Sequence, residues 1–290
     1  MNIGFYSYLG ATFAYGLFAL LLYFSWRESL QAKLLFITIS ISTAWSLASI
    51  MIALHDESYL LVYQLFEIFR YLAWYVFLLK LFEVASPGVA EARNSYARFV
   101  RRTLPQCIWF CALLFLNEIL IFVYPFQGQF ITGIVGRLAL SLIGLAIIEQ
   151  LYRNTSMRYR WATQYLFLGM GVVFAYDFYL YTDALLFRAV DQNLWAVRGI
   201  VHILAVPMLI ISSARNKNWS LNIFVSRDIV FSTTAIFGGG IYLLVMAGAG
   251  YYIKEYGGDW GELVQTVFFI LAAVLLLVLF SSTRLRARIR

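Results

Sequence analysis

Charged residues are scarce in this chain, and so are the residues that build most catalytic and metal sites. Of its 290 residues only 13% are charged, and it has two cysteines, two histidines and four prolines. Soluble domains usually carry about 25% charged residues. The sequence also contains no G-x-x-x-x-G-K-[ST], G-x-G-x-x-G, H-E-x-x-H or G-x-S-x-G pattern. Nothing in it therefore points to catalysis by this chain, to a bound cofactor or to a metal centre.

The two cysteines favour packing over metal binding. Cys107 and Cys111 are four residues apart, so they share one face of a helix. A zinc site needs further cysteine or histidine ligands, and no histidine converges on this pair in the sequence. A disulfide at this spacing within one helix is geometrically awkward. We expect both thiols to pack in an apolar environment.

Long hydrophobic runs are what the sequence has in abundance. Apolar residues make up 62% of the chain, whereas soluble domains have about 45–50%. A membrane-spanning helix needs roughly 20 mostly apolar residues. Nine segments qualify: 3–25, 34–54, 59–83, 105–125, 130–151, 161–186, 193–213, 229–252 and 262–282. The sequence thus predicts an all-α protein, a polytopic bundle of about nine transmembrane helices.

Basic residues are concentrated in every second connection between these segments. Those connections and the tail hold Arg27, Lys33, Arg93, Arg98, Arg101, Arg102, Arg153, Arg158, Arg160, Arg215, Lys217, Arg227, Arg284, Arg286, Arg288 and Arg290. The opposite connections contain only Arg188 and Lys254. Because cytoplasmic loops carry the excess of Lys and Arg, this predicts the N-terminus outside and the C-terminus in the cytoplasm. It also explains the net charge of +7 without nucleic acid as a partner.

A set of charged residues lies inside the predicted spans, where charges are costly and usually face the bundle interior. At similar predicted depths, in the outer half, lie Glu67, Arg70, Glu118, Arg137, Asp177 and Arg198, with His202 one turn further on. Three tyrosines border them: Tyr176, Tyr179 and Tyr181. This layer is either a closed network of ion pairs, a polar pocket for an external or lipid-borne ligand, or part of a proton or ion pathway. The inner halves contain few polar residues, which counts against a pathway.

Helical spacing places two pairs of these residues on common faces. Glu67 and Arg70 are three residues apart and can form an ion pair on one helix. Arg198 and His202 are four residues apart, also on one face. A single histidine in a span is more often held by hydrogen bonds within the packed bundle than used as a metal ligand or a pH switch, and we favour that role for His202.

Several stretches of the sequence are distinctive in combination. They are FSWRESLQAKLLF at 24–36, EIFRYLAWYVFLLKLF at 67–82, VPMLIISSARNKNWSLNIFVSRDIVF at 206–231 and GGGIYLLVMAGAGYYIKEYGGDWG at 238–261. Together they resemble the membrane region of the exosortase-associated (PEP-CTERM system) sensor histidine kinases, with Glu67, Arg70 and Trp74 in matching places. The resemblance covers essentially the whole chain, although the middle spans carry it by pattern only.

The resemblance implies that residues 1–283 form a transmembrane sensor or input domain in the bacterial inner membrane. SSTRLRARIR then resembles the family's exit into a cytoplasmic neck helix, so residues 284–290 are expected to begin that helix and transmit the signal. The family continues into a GAF-like domain and a kinase core, which this chain does not contain. Its histidines, His55 and His202, lie outside any phosphoacceptor helix. Catalysis, ATP and Mg²⁺ are therefore expected only in a longer parent protein.

The same resemblance implies homodimerisation and a partner response regulator that controls exopolysaccharide and exosortase-linked genes. The basic tail has a second interpretation, a plain membrane stop that binds anionic lipid at the cytoplasmic face. Two other functions remain open at this point. One is a stand-alone transporter or channel for a small polar solute, which requires a polar path through both membrane halves. The other is a scaffold for an envelope complex.

Overall fold

The computed structural model describes residues 3–25, 29–54, 57–85, 90–124, 128–155 and 157–216. This part of the chain is helical throughout. It consists of α1 (Ile3–Phe24), α2 (Leu30–Ala53), α3 (Leu60–Ala85), α4 (Ala90–Val123), α5 (Gln129–Asn154), α6 (Met157–Phe187) and α7 (Gln192–Arg215), with a short 3₁₀ turn at Glu57–Tyr59. All seven α-helices are long and apolar enough to cross a membrane. The described part of the chain is thus all-helical, and its seven long apolar helices make the chain a multi-pass membrane protein.

The first seven predicted spans each correspond to one of these helices. The predicted spans 229–252 and 262–282, and the tail residues Arg284, Arg286, Arg288 and Arg290, lie outside the described residues. Several boundaries differ from prediction, and helix α2 begins at Leu30 rather than at 34. Helix α4 begins at Ala90 rather than at 105, and the connection between α5 and α6 covers 155–156 rather than 152–160. Hydropathy shows where a helix stops being apolar. The helical backbone itself continues through polar residues, as in the first half of α4, and Pro105 lies inside that helix without ending it.

Local chemistry explains two of the helix starts. The Ser29 side chain accepts a hydrogen bond from the Ala32 backbone N–H at 3.2 Å and caps α2. The Asp191 carboxylate accepts hydrogen bonds from the backbone N–H groups of Asn193 (2.7 Å) and Leu194 (3.0 Å) and caps α7. Such caps satisfy backbone donors that have no partner within the helix. They fix where α2 and α7 begin and so the height at which their side chains lie.

The helices pack in a closed circuit. Helix α1 contacts α2 and α7, α2 contacts α3, α3 contacts α5, α5 contacts α6, and α6 contacts α7. Helix α4 lies against α3 and, more weakly, α5, and it is the least buried of the seven. Side chains that point inward from these helices therefore meet inside the circuit, and α4 approaches it from the side of α3 and α5.

The α1–α7 contact depends on a glycine. A Cβ atom at Gly199 would lie 2.7 Å from the backbone carbonyl carbon of Ser7, closer than van der Waals contact permits. Because the obstacle is backbone, neither helix can yield without moving as a whole. Gly171 is also helical, but a Cβ atom there meets nothing within 4 Å. Close helix approach at small residues is typical of membrane bundles.

We predict that Gly199→Ala destabilises the bundle by about 1–3 kcal/mol, because the added methyl group forces α1 away from α7. The matched change Gly171→Ala adds the same methyl group in open space and leaves stability unchanged or slightly improved. Unfolding of both variants in mixed micelles, titrated with a denaturing detergent, measures the difference. Equal stability of the two variants would contradict the assigned helix contact.

Candidate functional site

Three arginines and three carboxylates meet inside the helix circuit. They come from five helices: Glu67 and Arg70 on α3, Glu118 on α4, Arg137 on α5, Asp177 on α6 and Arg198 on α7. All six are buried, and four of them have no exposed surface at all. Three positive and three negative charges give the cluster a net charge of zero. We call these six residues the ionic network.

Asp177 is the acceptor for one half of the network. Its Oδ2 accepts a hydrogen bond from Arg70 Nη2 at 2.9 Å and another from the Tyr71 hydroxyl at 2.6 Å. Its Oδ1 accepts from Arg198 Nε at 2.7 Å. A carboxylate shared by two guanidinium groups and a hydroxyl has charge-assisted hydrogen bonds on both oxygens. Asp177 therefore ties α3 to α6 and α7.

Glu67 is the acceptor for the other half. Its Oε1 accepts hydrogen bonds from Arg198 Nη2 and from the Tyr181 hydroxyl. Its Oε2 lies 3.3 Å from Arg137 Nε, and Arg70 Nη2 lies 3.8 Å from Oε1. Arg198 thus bridges Glu67 and Asp177. The two carboxylates are held apart by cations rather than left to repel each other.

The network ends at Glu118 on α4. Arg137 Nη2 donates to Glu118 Oε1 at 2.8 Å, and the Arg137 side chain is 10% exposed, more than any other member. Gly133 lies one turn before Arg137 on α5. A Cβ atom added at Gly133 would lie only 2.9 Å from Arg137 Nη1. A larger residue at that position would displace the guanidinium. The α4–α5 edge is therefore where the network comes nearest to the surface.

Aromatic side chains enclose the network on the other sides. The Arg70 guanidinium carbon lies 4.4 Å from the centre of the Trp45 ring, and that of Arg198 lies 4.9 Å from it. Stacking of guanidinium groups on aromatic faces is favourable and stronger where water is excluded. The Tyr63 hydroxyl accepts hydrogen bonds from Arg198 Nη1 and from Trp195 Nε1, both at 3.1 Å. Helix α2, which contributes no charge, thus contributes the ring on which two cations rest.

His202 lies at the inner edge of this aromatic shell. Its Nδ1 is 2.7 Å from the Tyr15 hydroxyl on α1, and its ring centre is 4.7 Å from that of Trp45. The part of the chain that the structure describes provides no hydrogen-bond partner for Nε2. His202 is therefore packed and hydrogen-bonded, in agreement with the role favoured from the sequence. Through its contact with Tyr15, His202 connects α1 to the aromatic shell around the network.

The structure brings together all seven charged or histidine residues that the sequence placed in one layer. The bordering tyrosines behave differently from one another: Tyr181 joins the network, the Tyr176 hydroxyl donates to the Leu194 carbonyl, and Tyr179 is 55% exposed. Sequence reasoning missed the aromatic members Tyr15, Trp45, Tyr63 and Tyr71. Apolar spans contain many aromatic residues, so no signal separated these four from the rest.

The expected packing role of the cysteines is confirmed. Cys107 and Cys111 are buried, unpaired as a disulfide and part of the hydrophobic core. Within the described residues, no three His, Cys, Asp or Glu side chains are arranged to hold a metal ion. The ionic network offers paired charges rather than a free nucleophile or an open carboxylate.

No family model, curated protein or solved structure matches this chain.

We predict that Asp177→Asn destabilises the bundle by about 3 kcal/mol or more, because it leaves two buried guanidinium groups with an incomplete set of acceptors. Glu149→Gln is the matched control. Glu149 pairs with Arg153 at 3.2 Å, but both side chains are more than half exposed, so the loss is at most about 1 kcal/mol. Detergent unfolding of both variants tests this. A cost for Asp177→Asn as small as that for Glu149→Gln would show that the buried pairs do not stabilise the fold.

Proposed function

We propose that the chain is the membrane-embedded signal-input module of a bacterial two-component sensor histidine kinase, with the ionic network as its switching element. The observation that supports this is a buried, charge-balanced cluster whose six charged side chains come from five of the described helices. A signal that moves any one of the five charge-bearing helices, α3 to α7, must change the partners of at least one charge. The sequence resemblance of the chain to the exosortase-associated kinases suggests what the signal controls, namely the expression of exopolysaccharide and exosortase-linked genes.

The network is suited to switching because its members have alternative partners. Arg70 lies within 3.8 Å of Glu67 while it donates to Asp177 at 2.9 Å, and Arg198 contacts both acids. Partners can be exchanged while every charge stays paired, which keeps the two arrangements close in free energy. A ligand or envelope state shifts such an equilibrium only by its differential affinity for the two arrangements. The end at Arg137 and Glu118, where the network comes nearest to the surface, is the natural point of entry.

The proposal includes the finer topology expected from the sequence. The chain has nine spans in the bacterial inner membrane, with the N-terminus outside. The ninth span passes the shift to a neck helix that begins at residues 284–290, and anionic lipid contacts that cytoplasmic end. The protein acts as a homodimer, and a response regulator receives the phosphoryl group from a kinase core that binds ATP and Mg²⁺. The present chain would be the non-catalytic part of that enzyme.

A transporter needs a polar path beyond the network. In the described residues, several buried hydroxyl groups of α2 donate instead to carbonyls one turn earlier on the same helix: Ser42 to Thr38, Ser46 to Thr43 and Ser49 to Trp45. Hydroxyls satisfied in this way are typical of helix packing in membranes. The sensor proposal is therefore favoured over the transporter.

The genomic reading frame past codon 290 is the first test. The proposal expects an open frame that continues into a GAF-like domain and a histidine kinase core. In that full-length protein, Arg137→Gln should shift the basal level of autophosphorylation, because it removes the cation that joins Glu67 to Glu118. Arg153→Gln, which removes an exposed arginine, should leave that level unchanged. A stop codon at position 291, or equal phosphorylation in both variants, would overturn the proposal.

Labelling of single introduced cysteines tests the topology. Ala189→Cys, in the exposed connection between α6 and α7, should react with a membrane-impermeant maleimide in intact spheroplasts. Arg153→Cys, at the opposite end of the bundle, should react only after permeabilisation. Cys107 and Cys111 are buried and provide a low background. The reverse labelling pattern would place the N-terminus in the cytoplasm.

A further inference from the structure

A groove lies between α5 and α6, near the end of the bundle where these two helices join. It encloses about 530 Å³ and is open along the side. Its lining is mainly apolar, with polar groups at intervals: Leu145, Ile148, Glu149, Tyr152, Gln164, Tyr165, Phe167 and Leu168. Pockets for small molecules fall in the range of about 300–1,000 Å³. Because α5 and α6 are both long and apolar enough to cross a membrane, lipid can reach a groove that is open along their side.

The groove ends among basic groups. Arg153 lies one turn after Glu149 on α5 and pairs with it at 3.2 Å, so the carboxylate in the lining is already neutralised. Arg215, from the end of α7, lies against Tyr165, a lining residue, with its guanidinium carbon 4.4 Å from the ring centre. It also lies 4.5 Å from the ring centre of Trp161. Two aromatic rings thus hold this arginine beside the groove.

Arg215 has hydrogen-bonding capacity that the described residues do not use. Its Nη1 is buried and has no hydrogen-bond partner among them. An unpaired buried donor on a cation is costly, and an anionic acceptor relieves that cost. The charge beside the groove is therefore complementary to an anion.

We propose that this groove binds an anionic glycerophospholipid, with one acyl chain along Leu145, Ile148 and Leu168 and the headgroup phosphate at Arg215. The apolar lining matches the acyl chain, and the basic end matches the phosphate. Basic pockets between transmembrane helices recognise anionic headgroups by this chemistry. The site is distinct from the ionic network and does not depend on the proposed kinase role. It is also more specific than general attraction of anionic lipid to a basic tail.

Native mass spectrometry of the full chain in non-ionic detergent tests the site. Dioleoyl phosphatidylglycerol and dioleoyl phosphatidylcholine, which share their acyl chains, are the probes. One phosphatidylglycerol should be retained at collision energies that remove phosphatidylcholine. Arg215→Gln should weaken phosphatidylglycerol binding about tenfold, as expected for loss of a charge-assisted hydrogen bond. Arg101→Gln, an exposed arginine on α4, is the matched control and should bind as the native chain does.

A second pair of variants tests the groove itself. Leu168→Trp fills it, whereas Leu113→Trp adds the same bulk to the exposed side of α4, and both leucines are more than half exposed. Only Leu168→Trp should lower phosphatidylglycerol retention, with unchanged helical circular dichroism in both variants. Equal retention of the two lipids, or equal effects of the two tryptophans, would identify non-specific annular lipid and overturn the site.

Discussion

A charge inside a membrane bundle must be paired, and this requirement organises the described part of the protein. Three guanidinium groups and three carboxylates are buried together, and removal of either partner leaves an uncompensated buried charge. Since the pairs link α3, α4, α5, α6 and α7, these helices cannot shift independently. Trp45 on α2 and Tyr15 on α1 complete the enclosure. The buried ion pairs thus specify which helices pack together and at what height. Apolar contacts between helices in lipid do not specify this arrangement.

The two ends of the bundle have different chemistry. Along α5, Arg137 belongs to the ionic network, whereas Leu145 to Tyr152 line the apolar groove. A rise of 1.5 Å per residue separates them by about 12–22 Å. The network therefore lies in one half of the helix, and the groove lies near its other end.

Sequence reasoning located the seven described spans and the charged members of the network because both are conspicuous against an apolar background. An arginine or a glutamate in a span is rare enough to be informative, as at Glu67 and Arg137. It missed Trp45 and Tyr71 because aromatic residues are common in spans and their orientation depends on tertiary packing. It also placed the start of α4 late, because charged residues end a hydropathy segment without ending a helix. The partner of each charge required the three-dimensional arrangement.

The measurement that tests the central claim most directly is a double-mutant cycle between Arg70 and Asp177, whose side chains are 2.9 Å apart and fully buried. The free energy of unfolding is measured for the native chain, Arg70→Gln, Asp177→Asn and the double variant. If the two charges stabilise each other, the double variant loses less free energy of unfolding than the two single variants lose together. The expected difference, the coupling energy, is at least about 1 kcal/mol. Additive losses would contradict the account, because the two charges would then not act as a pair.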